Sequence, residues 1–374
     1  MNLRKHSVGD TLTIEDHELF DTQVTAKVLY PILGGGYMCR MENGAYVVAD
    51  EAMIKHSNSV HGESLPPIVF FGNGRLACAL LSGMVANGVQ VLCAYTTPTP
   101  RGGVNPLYYT AKEIGVPVYV ASMEKLLQVD YRARYAIVAD FKILPPEIIE
   151  KFKRNILNLH TSLLPELRGS STISSAILRR YEATGLTAFR ISEQVDKGEV
   201  FANLCVPINP DDTATMLEER LYTLSADVAC EALRNLYLGK SGMEQSEMEC
   251  DYLKHGYAPR TSGSAITITA NLKADTASLI TRAYSCLPGV RIALKTADFG
   301  TSKQSIKIAD CKLAEKEGAE VQKGDFYEQD RQLQLRMQDA SIVIGRIQLP
   351  GGRWLSGSEY AKTHRGRRII MQAK

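Results

Sequence analysis

The stretch Ile156-Leu-Asn-Leu-His-Thr-Ser-Leu-Leu-Pro-Glu-Leu-Arg-Gly169 decides how the chain is read, because an apolar strand here ends in polar groups fit for chemistry. Ile156, Leu157 and Leu159 mark the strand. Side chains two apart on a strand share a face, so Asn158 and His160 point the same way. The Ser162-Leu-Leu-Pro165 run then turns the chain. Open α/β sheets bind ligands at the carboxyl ends of their strands, so a polar pair followed by a turn predicts a site. The plain alternative is a hydrogen-bonded strand end, since a three-residue pattern alone carries little information.

Upstream, Ile68-Val-Phe-Phe71 is a continuous apolar run suited to a buried parallel strand, and Gly72-Asn-Gly-Arg-Leu-Ala77 opens a helix expected to reach about Ala86. Strand and helix then alternate. Strands are expected over Val89 to Tyr95, Val116 to Val120, Tyr135 to Ala139, Ile156 to His160 and Leu186 to Ile191. Helices are expected over Tyr108 to Glu113, Met123 to Leu127, Pro146 to Phe152, Ser174 to Tyr181 and Thr215 to Tyr237. Such alternation predicts a doubly wound, Rossmann-like sheet. The hexapeptide at Gly72 fits G-x-G-x-x-A, but the second strand ends in Thr96 and Thr97 where a ribose-binding acid belongs. No acid occurs between Arg75 and Lys112, so the glycines read as a tight strand-to-helix turn and not as an NAD site.

Asn158-Leu-His160-Thr-Ser162-Leu-Leu-Pro165-x-x-Arg168-Gly169, with Thr184-Gly-Leu-Thr187 and Val195-Asp196-Lys-Gly198-Glu199, resembles the folate-dependent formyltransferases. Within that family the resemblance is to the tRNA-formylating branch, and it runs from about Pro67 to the C-terminus. It implies formyl transfer from 10-formyltetrahydrofolate to the amine of initiator methionyl-tRNA. The same resemblance implies catalytic roles for Asn158, His160 and Asp196, with Asp196 in a loop folded over the site. A folate pocket would be lined by Ala139, Phe141, Ile143 and Leu144 and by the turn Ser162, Leu163, Leu164 and Pro165, largely through their backbone. For Asp196 the residues alone also allow a turn aspartate before Gly198.

The chain departs from the family in three places. The loop after the second strand, Thr97 to Asn105, carries one basic residue, Arg101, where tRNA-acting relatives have a long basic loop. Leu167 replaces an aromatic residue, and the first sixty-odd residues have no counterpart. Two alternatives therefore stay open: formylation of another amine, such as an amino-sugar nucleotide or a peptide precursor, and a non-catalytic RNA-binding relative.

Residues 1 to 64 alternate short β-rich runs, Thr11 to Ile14, Val24 to Tyr30, Tyr37 to Cys39 and Ala45 to Val48, with turn signals that include Asn43-Gly44. A small antiparallel β module is expected, followed by a linker at Ser64-Leu-Pro-Pro67. Residues 65 to 250 form the expected catalytic domain. From residue 251 onward the pattern turns to β-runs, Val290 to Lys295, Ser305 to Ala309 and Ser341 to Leu349, interrupted by one helix, Asp275 to Tyr284. That composition predicts a small barrel of the oligonucleotide-binding type. Arg282-Ala-Tyr-Ser-Cys-Leu-Pro288-Gly289 also resembles the opening of the C-terminal domain of the tRNA-formylating enzymes.

The 374 residues carry a formal net charge of +2, so any basic surface must come from clustering. The last 44 residues cluster nine Lys and Arg against only Asp339 and Glu359, and Arg365, Arg367 and Arg368 are the candidate tRNA contacts. Such a cluster equally suits a plain solvated face. Eight cysteines without C-x-x-C spacing or histidine partners predict free thiols and no metal. Neither a leader nor a membrane span is legible, so a cytoplasmic enzyme with no DNA and no membrane partner is expected.

Overall fold

The computed structural model describes five strands between residues 11 and 58, and then residues 64–248, 256–260, 266–285, 289–295, 304–315, 321–363 and 369–371. Strands β1 (Thr11–Ile14), β2 (Val24–Pro31), β3 (Tyr37–Met41), β4 (Tyr46–Ala49) and β5 (Ile54–Asn58) pair antiparallel in the order β4-β3-β2-β1-β5. The hairpin expected across Asn43-Gly44 is the β3–β4 pair, and its turn lies outside the described residues. Strand β5 has one apolar residue in Ile-Lys-His-Ser-Asn, which left it without a sequence signal.

The next elements alternate. They are β6 (Ile68–Gly72), α1 (Arg75–Ala86), β7 (Val91–Thr96), α2 (Pro106–Glu113), β8 (Val118–Val120), α3 (Met123–Leu127), β9 (Tyr135–Ala139), α4 (Pro146–Lys151) and β10 (Ile156–His160). After the two-residue β11 (Arg168–Gly169) come α5 (Thr172–Leu178), β12 (Ala183–Arg190), β13 (Val200–Pro207) and α6 (Ala214–Tyr237). One seven-stranded sheet results, in the order β13-β12-β10-β9-β6-β7-β8. Pairs from β10 to β8 are parallel, whereas β12 joins β10 antiparallel. The fold is thus the expected Rossmann-like α/β core, with β13 as an edge strand the sequence reading passed over.

Strand order reverses at β6, which runs to β7 and β8 on one side and meets β9 and β10 on the other. Loops after β6 and β9 therefore diverge at their carboxyl ends, the position at which such sheets hold ligands. Beneath that crevice Phe71, Tyr95, Tyr131 and Phe152 are buried together, with ring centroids 4.8 Å apart for Tyr131–Phe152 and 5.5 Å for Phe71–Tyr95. The strands β6 and β9 are buried along their whole length, which is why both read as unbroken apolar runs.

The chain divides into two compact units, the first made of Met1–Arg168, Gly185–Val206 and Arg220–His255, the second of Gly169–Thr184, Pro207–Glu219 and Gly256–Lys374. The second unit is β-rich beyond α5 and the first turns of α6. It contains β14 (Tyr257–Ala258), β15 (Ile266–Ile268), α7 (Ala274–Ala283), β16 (Val290–Lys295), β17 (Gln304–Ala309), β18 (Lys312–Leu313), β19 (Asp325–Gln329) and β20 (Gln332–Arg336). It ends with β21 (Ser341–Val343), β22 (Arg346–Gln348), β23 (Trp354–Ser356), α8 (Gly357–Thr363) and β24 (Ile369–Met371). Its core gathers Ile292, Ile306, Ile308, Leu335, Ile342 and Ile347.

Two expectations for this unit need correction. The single strand expected over Ser341 to Leu349 is two strands, broken at Gly345, where a Cβ would collide with the Asp310 carbonyl. The expected lone helix has a companion in α8. Ser356 and Glu359 bond reciprocally at its start, Glu359 N–H to Ser356 Oγ at 3.1 Å and Ser356 N–H to Glu359 Oε2 at 2.8 Å. This capping box was the available sequence signal.

Candidate active site

Strand β10 carries the polar pair to the edge of the crevice. Asn158 lies opposite Val138 on β9 and Phe189 on β12, and His160 lies opposite Thr187. His160 is buried, with Nε2 3.1 Å from the Leu167 carbonyl oxygen. A carbonyl only accepts, so Nε2 carries the hydrogen and Nδ1 of the neutral ring keeps a lone pair. Burial pushes the imidazole below its ordinary pKa, Asp196 and the Leu167 bond pull it back up, and Arg168 lowers it further. The Asn158 side chain is half-buried and makes no hydrogen bond among the described residues. Its amide is available to a ligand.

Asp196 is held by its backbone. Its carbonyl accepts from Arg168 Nε at 3.1 Å and from Gln245 Nε2 at 3.0 Å. Gln245 is buried and works in both directions, since its Oε1 accepts from Arg168 Nη2 at 2.7 Å while its Nε2 also donates to the Gly198 carbonyl at 2.9 Å. A Cβ on Gly198 would collide with the Arg190 carbonyl, so only glycine lets the loop close against β12. Asp196 itself has φ of 55°, a left-handed conformation that Asp tolerates better than most residues. Sequence reasoning missed Gln245 altogether. One glutamine in an irregular stretch has no spacing to betray it.

The turn after His160 is fixed by two hydroxyls. Ser162 Oγ donates to the Glu166 carbonyl at 2.6 Å. Thr187 Oγ1 donates to the Ser162 carbonyl at 2.7 Å and accepts the Leu164 N–H at 3.0 Å. The Leu164–Pro165 peptide is cis. Among the described residues no group of three or more His, Cys, Asp or Glu is placed to hold a metal ion.

Residues 111–233 match the family model described as formyl transferase. Among curated proteins, the methionyl-tRNA formyltransferase of Thermotoga neapolitana is 29% identical over 239 residues, covering 61% of this chain and 75% of that one. The enzyme of the same name from Coxiella burnetii strain RSA 331 is 26% identical over 315 residues, covering 79% and 95%. These matches support a folate-dependent formyltransferase. Solved structures share the fold. HypX from Aquifex aeolicus, in complex with tetrahydrofolic acid, superposes with a TM-score of 0.59 at 15% identity, over 82% of this formyltransferase and 48% of HypX, so the chain spans about half its length. WlaRD, a sugar 3N-formyl transferase, gives 0.53 at 18% identity over 77% and 98%.

The positions expected to line the formyltransferase's folate pocket fall into two groups. Ala139, Leu144, Ser162 and Leu164 have buried side chains engaged in packing or in the turn, leaving only their backbone to a ligand. Phe141, Leu163 and Pro165 are half-buried, and Ile143 is 75% exposed. Phe141 packs on Phe71 with centroids 5.5 Å apart, which ties this loop to the core. Between Ala139 and Phe141 stands Asp140, with φ of 49°, whose Oδ2 accepts the Leu76 N–H at 3.2 Å. A Cβ on Gly74 would collide with that oxygen, so the second glycine of the G-x-G turn makes room for the chain's own carboxylate at the start of α1. The loop after β7 is likewise internally engaged, Asn73 Oδ1 accepting from Thr96 Oγ1 at 2.8 Å, the Thr97 N–H at 2.9 Å and Asn105 Nδ2 at 3.0 Å. Arg365, Arg367 and Arg368 lie outside the described residues.

Proposed function

We propose that the chain transfers the formyl group of 10-formyltetrahydrofolate to the amine of initiator methionyl-tRNA, with Asn158, His160 and Asp196 as the reacting groups' partners. The observation that carries this reading is the strand end itself, where a buried imidazole whose Nδ1 keeps its lone pair shares a face with an amide that has no partner among the described residues. The amine nitrogen attacks the formyl carbon, and the carbonyl oxygen becomes an oxyanion that accepts a hydrogen bond from the Asn158 amide. His160 Nδ1 takes the proton released by the amine and returns it to N10 of the folate as the C–N10 bond breaks. Asp196 stabilises the imidazolium in between. An α-amino group with an ordinary pKa of about 7.7–8.0 is within reach of such a base. An oxyanion donor of this kind is worth about 3 kcal/mol.

In this reading folate lies along Ala139 to Leu144 and the Ser162–Pro165 turn, and the basic C-terminal residues Arg365, Arg367 and Arg368 meet the tRNA backbone. The β-rich second unit serves as an oligonucleotide-binding-type module, and residues 1–64 act as an accessory module. A second acceptor class is favoured by one observation: the loop from Thr97 to Asn105 is a closed hairpin, with Pro98 bridging Val104 and Thr99 N–H bonded to the Gly103 carbonyl at 2.8 Å. It offers a single Arg where a tRNA-reading loop would offer several, and a small acceptor such as an amino-sugar nucleotide needs no such loop.

Mass spectrometry of candidate acceptors after incubation with enzyme and 10-formyltetrahydrofolate separates the two. Formylation of charged initiator tRNA is expected, with apparent affinity falling steeply as salt rises. The triple variant Arg365→Gln, Arg367→Gln, Arg368→Gln should flatten that slope. Formylation of the amino sugar alone, or a shallow slope unchanged by the triple variant, would replace the tRNA reading with a small-molecule acceptor.

A further inference from the structure

Strands β16, β17, β22 and β23 lie side by side in the second unit, and their register places four residues in one row: Arg291 opposite Lys307, Lys307 opposite Gln348, and Gln348 opposite Trp354. Directly paired residues on antiparallel strands project to the same face. The residues that alternate with them, Ile292, Ile306, Ile308 and Ile347, are buried in the core on the other face. The row therefore faces solvent. Arg291 is exposed, and the other three are half-buried.

Two cations directly opposite one another are destabilising unless an anion compensates them. Elsewhere in this unit Lys312 pairs with Asp211 at 2.9 Å and Arg346 pairs with Asp310. Neither Arg291 nor Lys307 takes part in an ion pair among the described residues. The pair lines a cleft of about 600 Å³ together with Ser305, Gln348 and the loop Leu349 to Gly352. Gln348 Nε2 donates to the Gly352 carbonyl at 2.9 Å, and the Gly352 N–H bonds Leu349 at 3.0 Å, so that loop is pinned beside the cations. Gly351 at φ of 70° supplies the left-handed residue its turn needs.

We propose that this cleft binds a phosphate group, held between the Arg291 guanidinium and the Lys307 ammonium with the Ser305 hydroxyl as a further donor. A guanidinium offers a planar fork suited to phosphate, and the ammonium adds a point charge. The cleft exceeds the volume of phosphate alone, so the ligand is a phosphorylated molecule, either a free nucleotide or one unit of a nucleic-acid strand. The strand form of this ligand rests on the role proposed above for the second unit, the free form does not, and the site uses neither the strand-end pair nor the C-terminal arginines.

Trp354 is the only tryptophan of the chain and reports on the cleft from next door. A Cβ built on Gly289 would lie 3.4 Å from the Trp354 ring and 3.7 Å from Lys307 Cδ, so indole and lysine stem flank the same bare glycine. Full-length protein is titrated with inorganic phosphate, with adenosine 5′-monophosphate and with a single-stranded RNA, following Trp354 emission and, for RNA, retention on a filter. Saturable binding of at least one probe is expected. Arg291→Gln with Lys307→Gln should weaken it about tenfold or more, while Lys312→Gln, which loses a partnered lysine, leaves it unchanged. Saturation by phosphate or the monophosphate identifies a free phosphorylated ligand, and saturation by RNA alone identifies a strand backbone. Absence of binding by all three probes, or binding equal in the double variant and wild type, overturns the proposal.

Discussion

His160 and Asn158 ask for opposite things from their surroundings. The imidazole is buried and fixed by the Leu167 carbonyl, whereas the amide two residues away commits no donor among the described residues. Asn158→Ala should therefore fold normally and lose roughly 100-fold in kcat, the usual size of one missing oxyanion donor. His160→Ala should lose more. Turnover close to wild type in either variant, measured by single-turnover formyl transfer, would remove the mechanism. The pH dependence follows from the burial of His160 and its charged neighbours. Burial lowers the His160 pKa, so kcat/KM should have risen through its acid limb below the ordinary histidine value of about 6.5. Asp196 is the largest influence raising that pKa, so Asp196→Asn should move the acid limb to still lower pH while reducing the rate. A limb that stays in place would show that the carboxylate does not act on the imidazole. The pair was legible in the sequence because a strand's period of two is rigid. Gln245 was not, because its partners, Arg168 and the carbonyls of Asp196 and Gly198, are far from it in the chain.

At the scale of elements, β12 is the scaffold for the turn that follows β10. Its Thr187 is fully buried, and the Thr187 hydroxyl bonds both the Ser162 carbonyl and the Leu164 N–H. Thr187→Val keeps the volume and deletes the hydroxyl, leaving two buried backbone groups unsatisfied at about 1–3 kcal/mol each. A lower melting temperature and a raised KM for folate are expected, measured by calorimetry and by initial rates. An unchanged KM would detach the turn from folate binding. Elements with strong periodicity were readable, and α1, β9 and β10 stand within a residue of expectation. Those that failed lacked a local signal, each in its own way. The β19–β20 hairpin turns at Asp330 and Arg331, both at positive φ, with no glycine to announce it. The strand β13 was hidden because its apolar positions do not alternate cleanly in Val-Phe-Ala-Asn-Leu-Cys-Val-Pro.

At the scale of the whole molecule, each of the two units has its own buried cluster, around Phe71 and Phe152 in one and around Ile292 and Leu335 in the other. The sole tryptophan belongs to the second unit, whereas α1 and most of the 24-residue α6 belong to the first. Urea unfolding followed by indole emission should therefore have a different midpoint from unfolding followed by helical circular dichroism. Coincident curves would show that the chain unfolds as one cooperative body. The division itself was only partly visible in the sequence, since composition shifts near residue 251 but the second unit also takes in residues 169–184 and 207–219. Asp140 bears on what this scaffold can become. A designer wishing to graft a dinucleotide onto the turn at Gly72 would first have to delete that carboxylate, and only then install an acid at Thr96 or Thr97 for the ribose. In the reverse order the incoming pyrophosphate would meet a carboxyl oxygen already seated at the helix start, and the redesign would stall at its first step.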